Sequence, residues 1–292
     1  MSTSPRPVIV WGNCQAEPLA TLIEAPLRAA GWEVVHLPPV FEIDEAGLER
    51  VQRDLLPHAA ALVSQPVRDE YRIPGCGTNQ LAERLPDDAR LVTIPNTYDT
   101  SGFPYQVNAH RGDGSRVDAP LTDYHDLRAI VAAERDLTVD EAVAWWPAPT
   151  SAMVSDNAAS SKAELRRREH DLDVHSSDLL DGPAMFTLSH PTNATLVEIA
   201  RRIVGALDLP HDEAIPTPER EFLGARRAPI EAAVVDALGW PSSARHDDWI
   251  VAKQEVPLRD VLDLHLDFYA RHPDIVTDAR TRFADRLELL DL

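Results

Sequence analysis

The residue with the clearest chemical potential is Cys14, in the stretch Gly12-Asn13-Cys14-Gln15 near the N-terminus. A β-branched apolar run, Val8 to Trp11, precedes it, and a segment with apolar residues at helical spacing, Ala16 to Ala30, follows it. The stretch is therefore predicted to be a turn between a buried strand and a helix. A thiol in such a turn lies beside the positive end of the helix dipole, which stabilises the reactive thiolate.

Two interpretations of this cysteine are open from the sequence alone. At the carboxyl end of a strand in an α/β sheet it would face a ligand, and at a tight turn it would serve as a nucleophile. As a buried packing group it would be inert, as most reduced cysteines are. The second cysteine, Cys76, forms no CxxC or zinc-binding pattern with it, so no metal site is expected.

Strand-like and helix-like segments alternate through the first third of the chain. The spacing predicts helices over Asp44 to Leu56 and Asn79 to Leu85. Further strands are predicted over Glu33 to Leu37, Ala59 to Ser64 and Leu91 to Ile94. This alternation indicates an α/β fold with a mostly parallel, doubly wound sheet of the SGNH or flavodoxin-like kind.

Polar residues follow three of these predicted strands where each strand ends. They are Asn13 and Gln15 on either side of Cys14, Gln65 after the third strand, and Asn96 after the fourth. The carboxyl ends of parallel strands share one edge of the sheet, so these side chains are predicted to converge on one pocket. The same residue types also serve as helix caps and turn formers, which is the alternative for each.

The alternation of strand-like and helix-like segments stops after Asn96. Thr97 to Pro120 is rich in Gly, Pro and Asp and is predicted to be a long surface loop. Beyond Trp145-Trp146-Pro147 the patterns are mostly helical. We therefore expect an α/β domain over residues 1–146 and a largely helical portion over 147–292, packed together as one compact unit.

The densest positive patch lies between residues 160 and 169. Ser161 and Glu164 fit a capping box, which predicts that a helix begins there. The cations of this segment are Lys162, Arg166, Arg167 and Arg168. Arginine suits phosphate recognition, so a phosphate-bearing ligand is one interpretation. The other is a solvated helix face on which the cations pair with Glu164, Glu169 and Asp171.

His190 lies at another predicted element boundary, in Ser189-His190-Pro191. It would act as a base toward Cys14 if the fold brought the two together. The chain has 11 histidines, most of which must be structural or exposed, so position alone does not decide the role of His190.

Bulk properties exclude several classes of function. The formal net charge of −20 argues against general binding to nucleic acid or to anionic membrane surfaces. No apolar run reaches the length of a membrane span, and the N-terminal residues contain no apolar signal core. A cytoplasmic protein is expected.

Taken in order, the motifs GNCQ, SQPVRDEYR, GTNQL, IPNTY, SKAELRRRE and FTLSHPTN resemble the WcbI family of polysaccharide-biosynthesis acetyltransferases. The resemblance covers most of the chain. It implies an α/β domain with helical additions, binding of coenzyme A or acetyl-coenzyme A as acyl donor, and O-acetylation of a sugar hydroxyl. It makes Cys14 the leading active-site residue and supports His190. Lys162 and Tyr98 are the candidate assisting residues, and Gly12 is a candidate cofactor contact.

The turn also looks like the GDS turn of SGNH esterases and acyltransferases, with cysteine in place of serine. Their C-terminal DxxH pattern is absent from this sequence, so an acid or base must come from elsewhere. In the expected chemistry the arginine cluster binds the phosphates of the donor, and His190 removes a proton, either from Cys14 in a two-step route or from the acceptor hydroxyl in a one-step route. The backbone N–H groups of Cys14 and Gln15, with the side chains of Asn13, Gln65 or Asn96, stabilise the oxyanion. Two alternatives stay open: a cysteine-dependent thioesterase or esterase, and a non-catalytic protein that binds coenzyme A or a sugar.

Overall fold

The computed structural model describes residues 5–112, 115–209 and 215–292. These residues form two compact units. The first comprises Met1–Tyr98, Glu164–Ala184 and Ser189–Leu223, and the second comprises Asp99–Ala163, Met185–Leu188 and Gly224–Leu292. The boundary predicted after residue 146 falls inside the second unit. One domain boundary along the sequence cannot describe these units, because each unit is made of three separate segments of the chain.

The first unit is built on a four-stranded parallel sheet, as predicted. Its strands are β1 (Arg6–Trp11), β2 (Trp32–Val35), β3 (Ala61–Ser64) and β4 (Arg90–Thr93). They lie in the order β2-β1-β3-β4, and every neighbouring pair is parallel. This is the strand order of flavodoxin-like doubly wound folds, with β1 in an interior position.

Both faces of β1 are buried, because successive side chains point to opposite faces of the sheet. Val8 and Val10 pack into one core with helices α1 (Ala16–Ala29) and α7 (Asn193–Ala206). Ile9 and Trp11 pack into a second core on the other face. That face is covered by α2 (Glu45–Arg50), a π-helical continuation (Val51–Leu55) and α3 (Thr78–Ala82). Burying the strand on both sides fixes the position of its carboxyl end.

The second unit combines short strands with helices, in agreement with the predicted helical character of the C-terminal half. Its complete helices are α4 (Leu127–Glu134), α5 (Val139–Trp145), α8 (Ala232–Leu238), α9 (Leu258–Arg271), α10 (Pro273–Arg282) and α11 (Ala284–Leu289). Three strands, β11 (Arg226–Arg227), β12 (Trp249–Val251) and β13 (Gln254–Val256), form an antiparallel sheet. No helix among the described residues combines the length and apolar character required to cross a bilayer.

The prediction that Thr97 to Pro120 forms a surface loop is wrong for most of its described residues; residues 113 and 114 lie outside the description. Asp99, Phe103 and Tyr105 are each at most 3% exposed. Short strands run through the segment: β5 (Gln106–Val107), β6 (Ala109–His110) and β7 (Arg116–Val117). Two further short strands of this unit follow, β8 (His125–Asp126), which pairs with β5, and β9 (Met185–Thr187). The Gly, Pro and Asp content of the segment after Thr97 marks turns within a packed segment, because apolar residues between those turns, Tyr105 and Val107 among them, enter the core of the second unit.

The capping box predicted at Ser161 is also wrong. Helix α6 runs without interruption from Ser151 to Glu169, so Ser161 lies inside it. The Ser161 hydroxyl accepts a hydrogen bond from the backbone N–H of Thr100 (2.9 Å) and donates one to Asp99 Oδ1 (2.7 Å). The serine therefore anchors a buried segment of the second unit rather than the start of a helix.

Two histidines are buried in the second unit with hydrogen-bond partners of their own. His265 Nε2 lies 3.1 Å from Thr122 Oγ1 and 3.2 Å from the Pro120 carbonyl oxygen, and His125 Nδ1 lies 2.7 Å from the Tyr269 hydroxyl. Burial, with a smaller effect from His125, lowers the pKa of His265 to about 4. Burial also lowers the pKa of His125. Both histidines are neutral structural groups near pH 7.

These pKa values predict that the protein loses stability as the pH falls below about 6.5. The unfolded chain protonates His265 near pH 6.5, whereas the folded chain does so only near pH 4, so the unfolded state binds more protons in between. Lowering the pH from 7 to 5 should cost about 2 kcal/mol through His265. Urea unfolding at both pH values measures this, and His265→Gln should reduce the loss by that amount. An equal loss in the variant would contradict the assignment.

Candidate active site

The stretch Gly12 to Gln15 is the turn that joins β1 to α1, as the sequence predicts. The register pairs Trp11 with Ser64 and Ser64 with Thr93, so β1, β3 and β4 end side by side. The Gln65 backbone N–H donates to the Trp11 carbonyl (2.9 Å), which extends this alignment by one residue. The polar residues that follow these strands are therefore brought to one edge of the sheet.

Gln15 is at the centre of a buried network of amide groups. Its side chain is fully buried, and its Nε2 group donates to the carbonyl oxygens of Thr97 (2.8 Å) and Ser189 (2.9 Å). Its Oε1 accepts from Gln65 Nε2 and from the Thr97 backbone N–H, both at 3.2 Å. One side chain thus connects the GNCQ turn to three other chain segments.

Backbone partners determine the orientation of each amide in this network. Gln65 Oε1 accepts from the Asn13 backbone N–H (2.8 Å), so Gln65 Nε2 is the atom that faces Gln15 and the Pro95 carbonyl. Asn13 Oδ1 accepts from the Gln15 backbone N–H (2.9 Å), so Asn13 Nδ2 is the atom that donates to Asn96 Oδ1 (2.9 Å). Asn96 itself is exposed at the rim.

Gly12 has a structural reason to be glycine. A Cβ atom at this position would lie 2.5 Å from Gln65 Oε1. The Gln65 side chain occupies that space in order to accept from Asn13. Any larger residue at position 12 would therefore displace the amide that holds the turn, which gives Gly12 a packing role independent of any cofactor.

The network changes the expected assignment of oxyanion donors. The side chains of Gln15 and Gln65 are at most 3% exposed, and their donors are used by carbonyl and amide oxygens of the protein. The Gln15 backbone N–H is likewise bonded to Asn13. These groups are positioning groups. Two of the predicted oxyanion donors lie at the accessible side of the network: Asn13 is half-buried and Asn96 is exposed.

Cys14 is half-buried; it directly precedes the buried Gln15 and lies two residues before Ala16, the first residue of α1. Neither Cys14 nor Cys76 is in a disulfide. Cys76 is 1% exposed and its thiol donates to the Tyr71 carbonyl. The two cysteines therefore differ: Cys76 is a buried packing group, whereas Cys14 is only half-buried.

His190 and Tyr98 each follow a residue that Gln15 holds. Gln15 Nε2 bonds the carbonyl oxygens of Ser189 and Thr97, so both segments are tied to the turn that carries Cys14. His190 begins the short strand β10 (His190–Pro191) and is half-buried. Local sequence gives no sign of this link, because it joins residues far apart along the chain.

The C-terminal turns of α6 carry the predicted arginine cluster, all of it exposed. Arg167 forms a two-pronged pair with Glu164 (2.7 and 2.8 Å), and Arg168 Nε lies 3.6 Å from the same carboxylate. The Arg168 guanidinium also lies 5.6 Å from the centre of the Tyr98 ring. The predicted pairing with Glu164 is therefore present. Lys162 belongs to the part of α6 in the second unit.

Sequence reasoning missed a buried carboxylate at the end of this helix. Glu169, 1% exposed, accepts from the backbone N–H groups of Ser176 (2.9 Å) and Ser177 (2.8 Å). The Ser176 hydroxyl lies 3.0 Å from the Thr97 hydroxyl, which donates to it. Glu169 thus fixes the chain beside the segment that Gln15 holds. Within the described ranges, no three His, Cys, Asp or Glu side chains are grouped so as to hold a metal ion.

Comparison with known proteins gives one family and one solved structure. The family model described as polysaccharide biosynthesis enzyme WcbI matches residues 7–212. The solved structure is of WcbI, a novel polysaccharide biosynthesis enzyme, as native protein without a disulfide bond between coenzyme A and Cys14 of that protein. It is 19% identical, covers 98% of this chain and 97% of its own, and has a TM-score of 0.81. No curated protein matches significantly.

The structural likeness establishes the fold over nearly the whole chain. The family match over residues 7–212 covers the sheet from Pro7 onward, the GNCQ turn, the arginine cluster and the His190 segment. On this evidence the chain belongs to the WcbI family of polysaccharide biosynthesis enzymes.

Proposed function

We propose that this protein is an acyl-coenzyme A-dependent O-acyltransferase that acetylates a sugar hydroxyl in polysaccharide biosynthesis. The observation that supports this most directly is the placement of Cys14. It is a half-buried residue at the carboxyl end of an interior strand and at the start of a 14-residue helix, in a turn held by amide side chains. Ligands bind at this position in open α/β sheets.

Coenzyme A is the proposed donor for two reasons. The related WcbI structure is described by reference to a disulfide between coenzyme A and a cysteine of that protein. In this chain, Arg166, Arg167 and Arg168 supply guanidinium groups of the kind that binds phosphate. Because Glu164 already neutralises part of this charge, a bound phosphate would compete with that carboxylate for Arg167 and Arg168.

In the proposed reaction the Cys14 thiolate attacks the acyl carbonyl carbon, the thioester C–S bond of the donor breaks, and coenzyme A leaves as its thiolate. Exchange of one thioester for another is nearly balanced in energy, so the step needs mainly positioning. The acceptor hydroxyl then attacks the acyl carbon, its proton passes to His190, and Cys14 is released as the thiolate. The amide groups of Asn13 and Asn96 stabilise the oxyanion, since those of Gln15 and Gln65 are used within the protein.

Replacement of Cys14 should separate catalysis from donor binding. Cys14→Ala should lower the rate of acetyl transfer by more than about 100-fold, as loss of a nucleophile does. Coenzyme A should still raise the melting temperature, because its phosphates contact other residues. Cys76→Ala is the matched control for thiol loss, and acetyl-enzyme on Cys14 should be visible by mass spectrometry of the wild type.

A Cys14→Ser variant that transfers acetyl at near wild-type rate, with no acetyl-enzyme trapped in either protein, would overturn the covalent route. Rapid hydrolysis of acetyl-coenzyme A in the absence of any sugar acceptor would instead identify a thioesterase.

The arginine cluster should determine affinity for the phosphates of the donor. Arg166→Ala and Arg168→Ala should each weaken coenzyme A binding about tenfold, the effect of one charge-assisted contact. Neither should alter KM for acetyl-pantetheine, which lacks phosphate. Arg201→Ala is the control, because Arg201 is exposed on α7 and pairs with Glu198 (3.1 Å). Equal effects of all three variants in a calorimetric titration would count against a phosphate site on α6.

A further inference from the structure

The second unit contains a cavity of about 310 Å³ that plays no part in the site around Cys14. The rings of Phe103, Tyr105, Trp146 and Trp249 contribute to its wall, together with four carboxylates and one arginine. This volume lies at the lower end of the range for small-molecule pockets, about 300–1,000 Å³. All of its lining residues belong to the second unit.

The arginine of this cavity, Arg128, is not available to bind an anion. Its guanidinium lies between the rings of Tyr105 (3.9 Å to the centroid) and Trp146 (4.2 Å). It also pairs with Asp126 and Glu231, each at 2.8 Å, and its side chain is 6% exposed. Stacked and neutralised in this way, Arg128 fixes the aromatic wall.

The carboxylates give the cavity a negative character. Asp126 and Glu231 outnumber the one arginine that they share, and Asp247 and Asp248 add two further acidic groups. Asp247 is partly offset by Arg245 at 2.7 Å. An anionic ligand such as a phosphate or a uronic acid would be repelled here, whereas hydroxyl and amine groups would find acceptors.

Two polar atoms of the lining residues have no hydrogen-bond partner within the described structure. They are Tyr105 Oη and Gln106 Oε1, in side chains that are 2% and 5% exposed. A buried polar group without a partner is unfavourable by about 1–3 kcal/mol, and such groups often mark a site for a molecule outside the chain. Tyr105 and Gln106, which both line the cavity, therefore keep hydrogen-bonding capacity that the described part of the chain does not use.

From these features we propose that the cavity of the second unit binds a neutral or amine-bearing sugar residue. Aromatic rings cover the apolar C–H faces of a pyranose, while carboxylates and amides accept from its hydroxyls. The proposal deepens the function proposed above and rests on it in one respect: the sugar would be part of the polysaccharide that the enzyme modifies. Binding itself needs neither Cys14 nor coenzyme A.

The proposal is tested by NMR of the full-length protein, following the indole N–H signals of Trp146 and Trp249, assigned with Trp→Phe variants. The probes are the methyl glycosides of glucose, galactose and mannose, glucosamine, and glucuronate. We expect at least one neutral or amine-bearing probe to shift both signals, and glucuronate to shift neither. Asp248→Asn should weaken that binding about tenfold. Asp263→Asn, which removes the same charge from an exposed position on α9, should not.

Failure of every neutral and amine-bearing probe, tighter binding of glucuronate, or equal effects of the two Asp→Asn variants would overturn the sugar site. Coenzyme A is titrated into the same samples. If it binds while no sugar does, only the sugar site is lost; if sugars bind while coenzyme A does not, the sugar site stands and the proposed acyl transfer is lost.

Discussion

The four hydrogen bonds of the Gln15 side chain are the interactions on which the candidate site depends. They join the turn after β1 to the end of β3, to Thr97 and to Ser189, the residue before His190. Three of them are buried and the one to Ser189 is partly buried, so breaking them would leave carbonyl and amide groups without partners and with little access to water. The position of Cys14 is therefore fixed by neighbours whose rearrangement would cost free energy.

Electrostatics impose a second constraint on the chain. With a formal net charge of −20, the protein repels an anionic donor at long range, and only a local concentration of guanidinium groups reverses that effect. Helix α6 supplies one in its last turns. The cavity of the second unit has the opposite character, because Arg128 is neutralised by two carboxylates there. The proposed anionic donor and the proposed neutral or amine-bearing sugar would thus suit chemically different surfaces.

Much of the fold and part of the site could be predicted from local patterns. The apolar run before Gly12 and the helical spacing after Gln15 define β1 and α1, and the alternation of elements defines the sheet. The arrangement of the polar strand ends could be predicted because parallel strands end at one edge. Their hydrogen bonds could not, since they depend on long-range register, and this is why Gln15 and Gln65 were expected to contact substrate. The buried segment after Thr97 and the role of Glu169 also depend on contacts distant in sequence.

The central claim is that the Gln15 network presents Cys14 to the sulfur end of coenzyme A. The direct measurement is thiol exchange with coenzyme A disulfide, in which the Cys14 thiolate displaces one coenzyme A thiolate and forms a mixed disulfide, located by peptide mass spectrometry. We expect modification of Cys14, none of the buried Cys76, and a much slower reaction in Gln15→Leu. An unmodified Cys14, or a Gln15→Leu variant that is folded and reacts at the wild-type rate, would contradict it.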